Sequence, residues 1–280
     1  MKISHLLSFA ILFACLTIGC KNEDIPKQST FFETDCRIKQ FYHQNRFNSY
    51  YFVHYNSEGL PRSTSNINSS DAEMSYYYKF ENQQLSTISQ RIFGKEYLVY
   101  KYEYGIEGLN LIRRYELESF YDIDGTQSQV VKSYEVNQIR FKYGKSGKPS
   151  SMTLSSVKND TINNTSILTD MFTSDFEYDE RGNLVKEINY APDNNKKMQV
   201  STINYHKYDT QINSLKPLHY LLFEVFYSAP YMFSKNNKIA TQTTNPFETR
   251  PEIKYDIRYD PAGYVTKDGL IFSQMVWQCP

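Results

Sequence analysis

Asp175-Phe176-Glu177-Tyr178-Asp179-Glu180-Arg181-Gly182-Asn183-Leu184 reads as one β-hairpin. Phe176 and Tyr178 fall on one face of an arriving strand, with Asp175 and Glu177 on the other. Leu184 and Ile188 share a face of the departing strand, and this period of two is that of a half-buried strand. Asp179 can accept hydrogen bonds from the turn backbone. Gly182 can take the positive φ that closes a type I turn with a bulge. Outward from this stretch, an aromatic followed four residues later by glycine recurs. The copies are Tyr55 with Gly59, Tyr104 with Gly108, Tyr121 with Gly125, Tyr143 with Gly147, and Tyr259 with Gly263, the last with Asp260 after its Tyr. Phe80 to Leu85 is a copy without glycine. The distances between copies vary, so the chain is a run of hairpins and not a strict solenoid.

The strand arms point to a wet, curved sheet. From Val130 to Tyr143 one face carries Val130, Tyr134 and Val136 but also Lys132, Gln138 and Arg140. The other carries Val131, Ile139 and Phe141 but also Glu135 and Asn137. A closed sandwich would alternate more strictly. With 25 Tyr, 18 Phe and one Trp among 280 residues, the chain suits a thin sheet in which tyrosine rings pack while their hydroxyls stay wet. The expected fold is all-β, an antiparallel β-meander curved into an open or partial barrel.

One segment departs from the period of two. Leu218, Leu221, Leu222, Val225 and Phe226 follow helical spacing, so a short amphipathic helix is expected near 214–227. Asn213 or Ser214 can cap it, Pro217 suits its first turn, and Pro230 bars its continuation. If the sheet curves, Leu218, Leu222 and Phe226 become candidate lining of an inner channel.

The N-terminus carries an address. Lys2 precedes an apolar run from Leu6 to Ile18, the length of a signal-peptide core and too short to span a bilayer. Gly19-Cys20 ends it like a bacterial lipobox, although Thr17 stands where Leu is usual, with Leu16 one place early. Lys21-Asn22-Glu23-Asp24 looks like the short signal behind the acylated cysteine of surface-exposed lipoproteins. The reading is a signal peptide over 1–19, an acylated (palmitate-bearing) Cys20 with a polar tether over 20–34, and a single β-meander domain over 35–280. The expected place is the outer membrane, lipid-anchored and facing outward, with the periplasmic face as the alternative. Cys15 leaves with the leader and Cys20 is acylated. Cys36 and Cys279 then remain in an oxidising compartment, where a disulfide between them is expected.

Chemistry is scarce. Lys+Arg and Asp+Glu both number 31, so the zero formal charge argues against nucleic acid as a partner. No His-x-x-x-His or Cys-x-x-Cys pair suggests zinc, and no Gly-x-Ser-x-Gly elbow is present. Asp122-Ile123-Asp124-Gly125 echoes a calcium loop, but Ser133 stands where that loop needs Glu. No catalytic residue, metal site or cofactor is assigned, and a monomer is expected.

The Tyr-Asp-x-x-Gly turns at Tyr178 and Tyr259, the stretch from Tyr208-Asp209 to Asn213, Ser234-Lys235-Asn236-Asn237 and Gly263-Tyr264-Val265-Thr266 together resemble a family of uncharacterised Bacteroidetes-type lipoproteins, a domain of unknown function with a porin-like fold. The turns also look like Tyr-Asp repeats of large bacterial shell proteins. The family resemblance implies a meander bent into an open or partial barrel, and brings no activity or ligand. The functional expectation is a non-catalytic envelope lipoprotein that binds a hydrophobic or amphipathic small molecule on a Tyr/Phe-lined concave sheet. The alternatives are a surface glycan-binding module, with Tyr rings stacked on sugars, and a structural or accessory envelope protein that pairs through a sheet edge.

Overall fold

The structure, a computed structural model, describes residues 36–43, 49–66, 75–92, 94–121, 128–160, 165–216, 232–269 and 272–279. In chain order the strands are β1 (Arg37–His43), β2 (Ser49–Tyr55), β3 (Pro61–Asn66), β4 (Ser75–Glu81), β5 (Gln84–Ile92) and β6 (Lys95–Gly105). They continue with β7 (Gly108–Tyr121), β8 (Ser128–Tyr143), β9 (Pro149–Asp160), β10 (Thr165–Tyr178), β11 (Leu184–Pro192) and β12 (Met198–Ile212). The last are β13 (Asn236–Thr244), β14 (Ile253–Lys254), β15 (Arg258–Tyr259), β16 (Val265–Lys267) and β17 (Phe272–Gln278). Among the described residues, β1 to β14 form an unbroken antiparallel meander, and β17 returns to pair with β1. The all-β meander is therefore as expected.

The ladder is open. Its edges are β14 and β17, and β15 and β16 form a separate two-stranded sheet on the path between them. No hydrogen-bonded closure into a barrel occurs among the described strands. The sheet nevertheless bends enough for Leu215, just after β12, to pack with Phe41, Val53, Val265 and Phe272 from β1, β2, β16 and β17. A larger apolar cluster runs from Tyr78 on β4 through Leu85, Ile112, Ile139, Met152 and Phe176 to Leu184 on β11.

The turn chemistry follows the sequence. At Asp179, the backbone N–H donates to the Asn183 carbonyl at 2.9 Å and Gly182 N–H returns to the Asp179 carbonyl at 3.0 Å. Gly182 has φ 92°, open to glycine at little cost. The Asp179 carboxylate accepts Asn183 N–H at 2.7 Å, and Asp260 accepts Tyr264 N–H at 2.9 Å in the same geometry. Tyr55, Tyr143, Tyr178 and Tyr259 each pair six residues on, across a bulge. Tyr104 is the exception: Gly105 pairs directly with Gly108, so that hairpin closes with a two-residue loop. Asp193 to Lys197 repeats the Asp179 geometry with Lys196, φ 63°, where glycine usually stands. The copy from Tyr121 to Gly125 lies largely outside the described residues.

The helix expected near 214–227 also falls mainly outside them. Its described flanks, Leu215 and Met232, are buried.

Candidate functional site: a buried ionic cluster at the seam

The Tyr178 and Tyr259 turns, the end of β12, residues 234–237 and residues 263–266 converge. Asn183, in the Asp179 turn, accepts the backbone N–H groups of Lys235 and Asn236 at 3.0 and 2.8 Å. Ser234 accepts Leu184 N–H at 3.0 Å and donates to the Tyr208 hydroxyl at 2.9 Å, which donates to the Leu184 carbonyl at 2.7 Å. Asp209 accepts Asn237 N–H at 3.2 Å and the Tyr259 hydroxyl. Val265 N–H donates to Ser214. These bonds tie the turn at Asp179, the ends of β12 and β13, and the β15–β16 hairpin into one network. The network fastens these segments to one another, and its role is structural.

Beside this network the inner face turns polar. On β10 to β13 the inward positions carry Ser174, Glu187, Asn189, Asn204, His206, Thr241 and Thr243. They are linked across the strands: Ser174 to Asn189 at 2.7 Å, Asn204 to Glu187 at 3.0 Å, Thr243 to Asn204 at 2.8 Å, and His206 Nδ1 to Thr241 Oγ1 at 3.0 Å. Lys238 on β13 is only 5% exposed and its Nζ lies 5.0 Å from the centre of the Tyr255 ring. From the other side of the seam comes Asp268, 0% exposed, in the loop between β16 and β17. Its Oδ1 accepts Phe272 N–H at 2.8 Å.

Electrostatics sets this cluster apart. Burial pulls the Lys238 ammonium down to about 8, against the opposing pull of the Glu187 and Asp268 carboxylates. Burial also lowers His206 below the ordinary histidine value; Lys238 pushes the same way and Glu187 opposes. His206 Nε2 stands 3.7 Å from Glu187 Oε2, beyond hydrogen-bond length. One amine and two carboxyl groups are thus buried on β13, on β11 and on the returning chain, and both carboxylates act on the amine.

The expected site residues fare unequally. Cys36 and Cys279 are joined as a disulfide, their Cα atoms 4.2 Å apart across 243 residues of sequence. Tyr178, Asp179, Gly182, Tyr259, Asp260 and Gly263 lie in turns that the seam network draws together. The other repeat turns lie outside the hydrogen bonds of that network. Gly59 closes the β2–β3 turn, where φ is 81° and its N–H donates to the Asn56 carbonyl at 3.0 Å. It is buried beneath the Arg37 side chain, which stands where a Cβ would go. Gly147 closes the β8–β9 turn, where φ is 69° and its N–H donates to the Gly144 carbonyl at 3.1 Å. It is exposed, with open space where a Cβ would point. Gly59 and Gly147, like Gly108, serve their own hairpins through backbone geometry, and the β8–β9 turn reaches the Asp179 turn through Lys148, whose Nζ lies 5.0 Å from the centre of the Tyr178 ring. Their partners Tyr55, Tyr104 and Tyr143 pack at those hairpin ends, with the Tyr55 and Tyr143 hydroxyls donating to the Ile38 and Leu109 carbonyls at 2.7 and 3.1 Å.

Cys20, Leu218, Leu222 and Phe226 lie outside the described residues. The ionic cluster has no counterpart in the sequence reading, because its members are scattered from 187 to 268 on strands whose polar residues read as outward. Among the described residues, no group of three or more His, Cys, Asp or Glu side chains could hold a metal ion, and no helix is long and apolar enough to cross a membrane.

No protein-family model matches the chain, and no curated protein matches it. Among solved structures, it is similar to a porin-like protein from Bacteroides vulgatus ATCC 8482, with TM-score 0.49 and 11% identity, over 85% of this chain and 97% of that one. It is similar to a protein with unknown function from Bacteroides fragilis NCTC 9343, with TM-score 0.33 and 10% identity, over 56% of this chain and 91% of that one. It is also similar to part of a TcdB2-TccC3 structure, with TM-score 0.25 and 10% identity, over 78% of this chain and 12% of that one.

Proposed function

We propose that this chain is a lipid-anchored, non-catalytic protein of the cell envelope that acts by binding. The observation that carries the reading is the order at its N-terminus. An apolar leader ends at Gly19-Cys20, a polar tether follows, and the stapled sheet begins at Cys36. The tether leaves the domain where β1 is fastened to β17, so pull on the anchor meets a covalent bond and not a frayed edge strand.

The ligand we propose is apolar or amphipathic, held against the aromatic inner face. Tyr78, Tyr100, Tyr102, Phe141 and Phe176 supply that face. Phe233 already lies against Phe141 and Phe176, with ring centres 5.6 and 6.0 Å away, so a ligand on this face must displace it or sit beside it. A second reading, glycan binding, draws support from the outer face. There Tyr205 is 43% exposed, and across from it Lys186 meets Glu177 at 2.7 Å. An exposed ring flanked by charged donors and acceptors suits a sugar face.

Two experiments test this. Cys20→Ala should yield protein that is unprocessed or released from membranes; membrane partition at the mature mass would overturn the anchor. Native mass spectrometry of gently extracted protein should show a hydrophobic adduct, lost when Phe176→Glu is introduced. A ligand-free spectrum together with glycan binding that is abolished by Tyr205→Ala would replace the first ligand class by the second.

A further inference from the structure

We propose that one end of the sheet, through Lys145, Lys148, Arg181, Lys216 and Lys235, docks on an anionic lipid surface by binding the phosphates of its head groups. The inference rests on the lipid-anchored reading for what brings this end to a membrane.

The topology gathers these residues. In an antiparallel meander alternate turns share an edge, so the β2–β3, β6–β7, β8–β9 and β10–β11 turns lie at one end with the close of β12 and the start of β13. Lys145 and Lys148 belong to the β8–β9 turn, where Gly144 N–H donates to the Lys148 carbonyl at 2.9 Å. Lys148 Nζ stands against the place that a Gly182 Cβ would take, in the turn that also carries Arg181. Lys235 N–H donates to the Asn183 side chain of that same turn at 3.0 Å. The Lys235 carbonyl accepts Asn213 N–H at 2.9 Å, and the Asn213 carbonyl accepts Lys216 N–H at 3.4 Å. These bonds hold the five cations on one connected piece of backbone.

The charge gathered there lacks a matching set of acids. Among the described residues, Lys145, Lys148, Arg181 and Lys235 form no ion pair. Lys145, Arg181 and Lys235 are exposed, and Lys148 is half-buried. The Asp179 carboxylate is already taken by Asn183, whose backbone and side-chain N–H groups donate to it at 2.7 and 3.2 Å. Burial lowers Lys148 below the ordinary lysine value; Lys235 and Lys216 push the same way, and Asp179 opposes. A phosphate brought to this end relieves the repulsion among the cations.

Two further features favour a lipid surface over a soluble phosphate. Ile106, in the β6–β7 turn, is 90% exposed, and Ile212, the last residue of β12, is 55% exposed. Cations beside exposed aliphatic side chains match a layer of head groups over acyl chains. The chain also enters the sheet at this end: β1 begins at Arg37, whose side chain covers Gly59 of the β2–β3 turn, and Cys36 precedes it. A lipid on Cys20 would thus draw on the sheet from its cationic end.

The test is lysine acetylation, read by mass spectrometry, on the full-length protein with vesicles of phosphatidylcholine alone or mixed with phosphatidylglycerol. The expected result is acetylation of Lys145, Lys148 and Lys235 slowed several-fold by phosphatidylglycerol, with the slowing lost at high salt. Lys196 and Lys197, in the β11–β12 turn at the opposite end, should react at the same rate in both vesicles. Arg181→Gln should weaken the protection of the three lysines. Unslowed reaction at those lysines, or equal slowing at Lys196 and Lys197, would overturn the proposal. Inorganic phosphate that protects the three equally well beside neutral vesicles would overturn the lipid as the ligand. Flotation of the vesicles keeps this inference apart from the anchor. Protein that floats with both kinds but shows no slowing overturns the docking alone. Protein that floats only with phosphatidylglycerol, its three lysines protected, supports the docking and overturns the anchor.

Discussion

The inner face of β4 to β11 and the seam at β11, β13 and the returning chain do the same job with opposite chemistry. Both hold a bent sheet to something across from it. The first buries Leu85, Ile112, Met152 and Leu184 completely or nearly so, and each gains from leaving water. The second buries a lysine, two carboxylates and a histidine, each of which loses by it. The difference teaches where specificity comes from in a meander of similar hairpins. Apolar contact between strands tolerates slippage, whereas Lys238 with Glu187 and Asp268 admits one placement of the return. That role for buried charge is the account offered for this protein, and the changes below are chosen to break or sharpen it.

The largest effect is expected at the staple that serves both regions. Replacing Cys36 by Ala, or reducing the disulfide, should lower stability by about 5 kcal/mol in the chain-entropy model for so long a loop. Urea unfolding with and without reductant measures it. Ile112→Ala, in the apolar region, should cost about 4 kcal/mol through lost burial and the cavity left behind. Its unfolding should remain a single transition, because the cluster runs continuously from β4 to β11.

The seam should respond to pH where the apolar region does not. Burial holds Lys238 at about 8 in the folded chain, against 10.5 in the unfolded chain. The unfolded chain then binds more protons between these values, so stability should rise with pH across that window. The gain is about 3 kcal/mol. Above pH 10 the slope reverses, because burial raises Tyr55, Tyr78 and Tyr104, and the unfolded phenols ionise first. On the acid side His206 is lowered from 6.5, so stability should fall as pH drops below that value. His206→Gln should flatten the acid limb, measured by thermal unfolding across pH 5 to 7.

How much of this was legible beforehand depends on the physics of each part. The hairpins were readable because their signals are local: Asp179, Gly182 and Asn183 need only one another to set the turn. The same locality hid the difference between turns. Gly59, Gly147 and Gly182 share a spacing and a positive φ, yet only Gly182 sits in a turn that meets the seam, and no residue within the turn reports that. The turn at Asp193 carries no glycine signal because Lys196 occupies the left-handed position, and the Tyr104 hairpin departs from its copies because Gly105 pairs with Gly108 across a shorter loop although Gly108 keeps the spacing. In β8 the mixed faces between Val130 and Tyr143 did report a sheet that leaves its packed region, since Ile139 is buried while Tyr134 is exposed. The seam was not readable at all. Glu187, His206, Lys238 and Asp268 are polar residues scattered along the chain, and only the bend of the sheet makes their face an interior.

The turns supply the smallest and most local effects. Gly182→Ala should cost about 1 kcal/mol, since φ 92° suits glycine alone, while Lys196→Gly should stabilise by about 0.5 kcal/mol by relieving the same strain in the Asp193 turn. Thermal unfolding of the two variants measures both. Equal responses at the two turns would show that backbone strain does not separate them.

The central claim is that buried side chains, and not a hydrogen-bond ladder, hold the two ends of this sheet together. Amide hydrogen exchange on Asp268→Ala tests it most directly. The account predicts faster exchange confined to β1, β13, β17 and residues 255–268, with the amides of β6 to β9 as protected as before. Unchanged protection at the seam, or an equal loss of protection in β6 to β9, would contradict it.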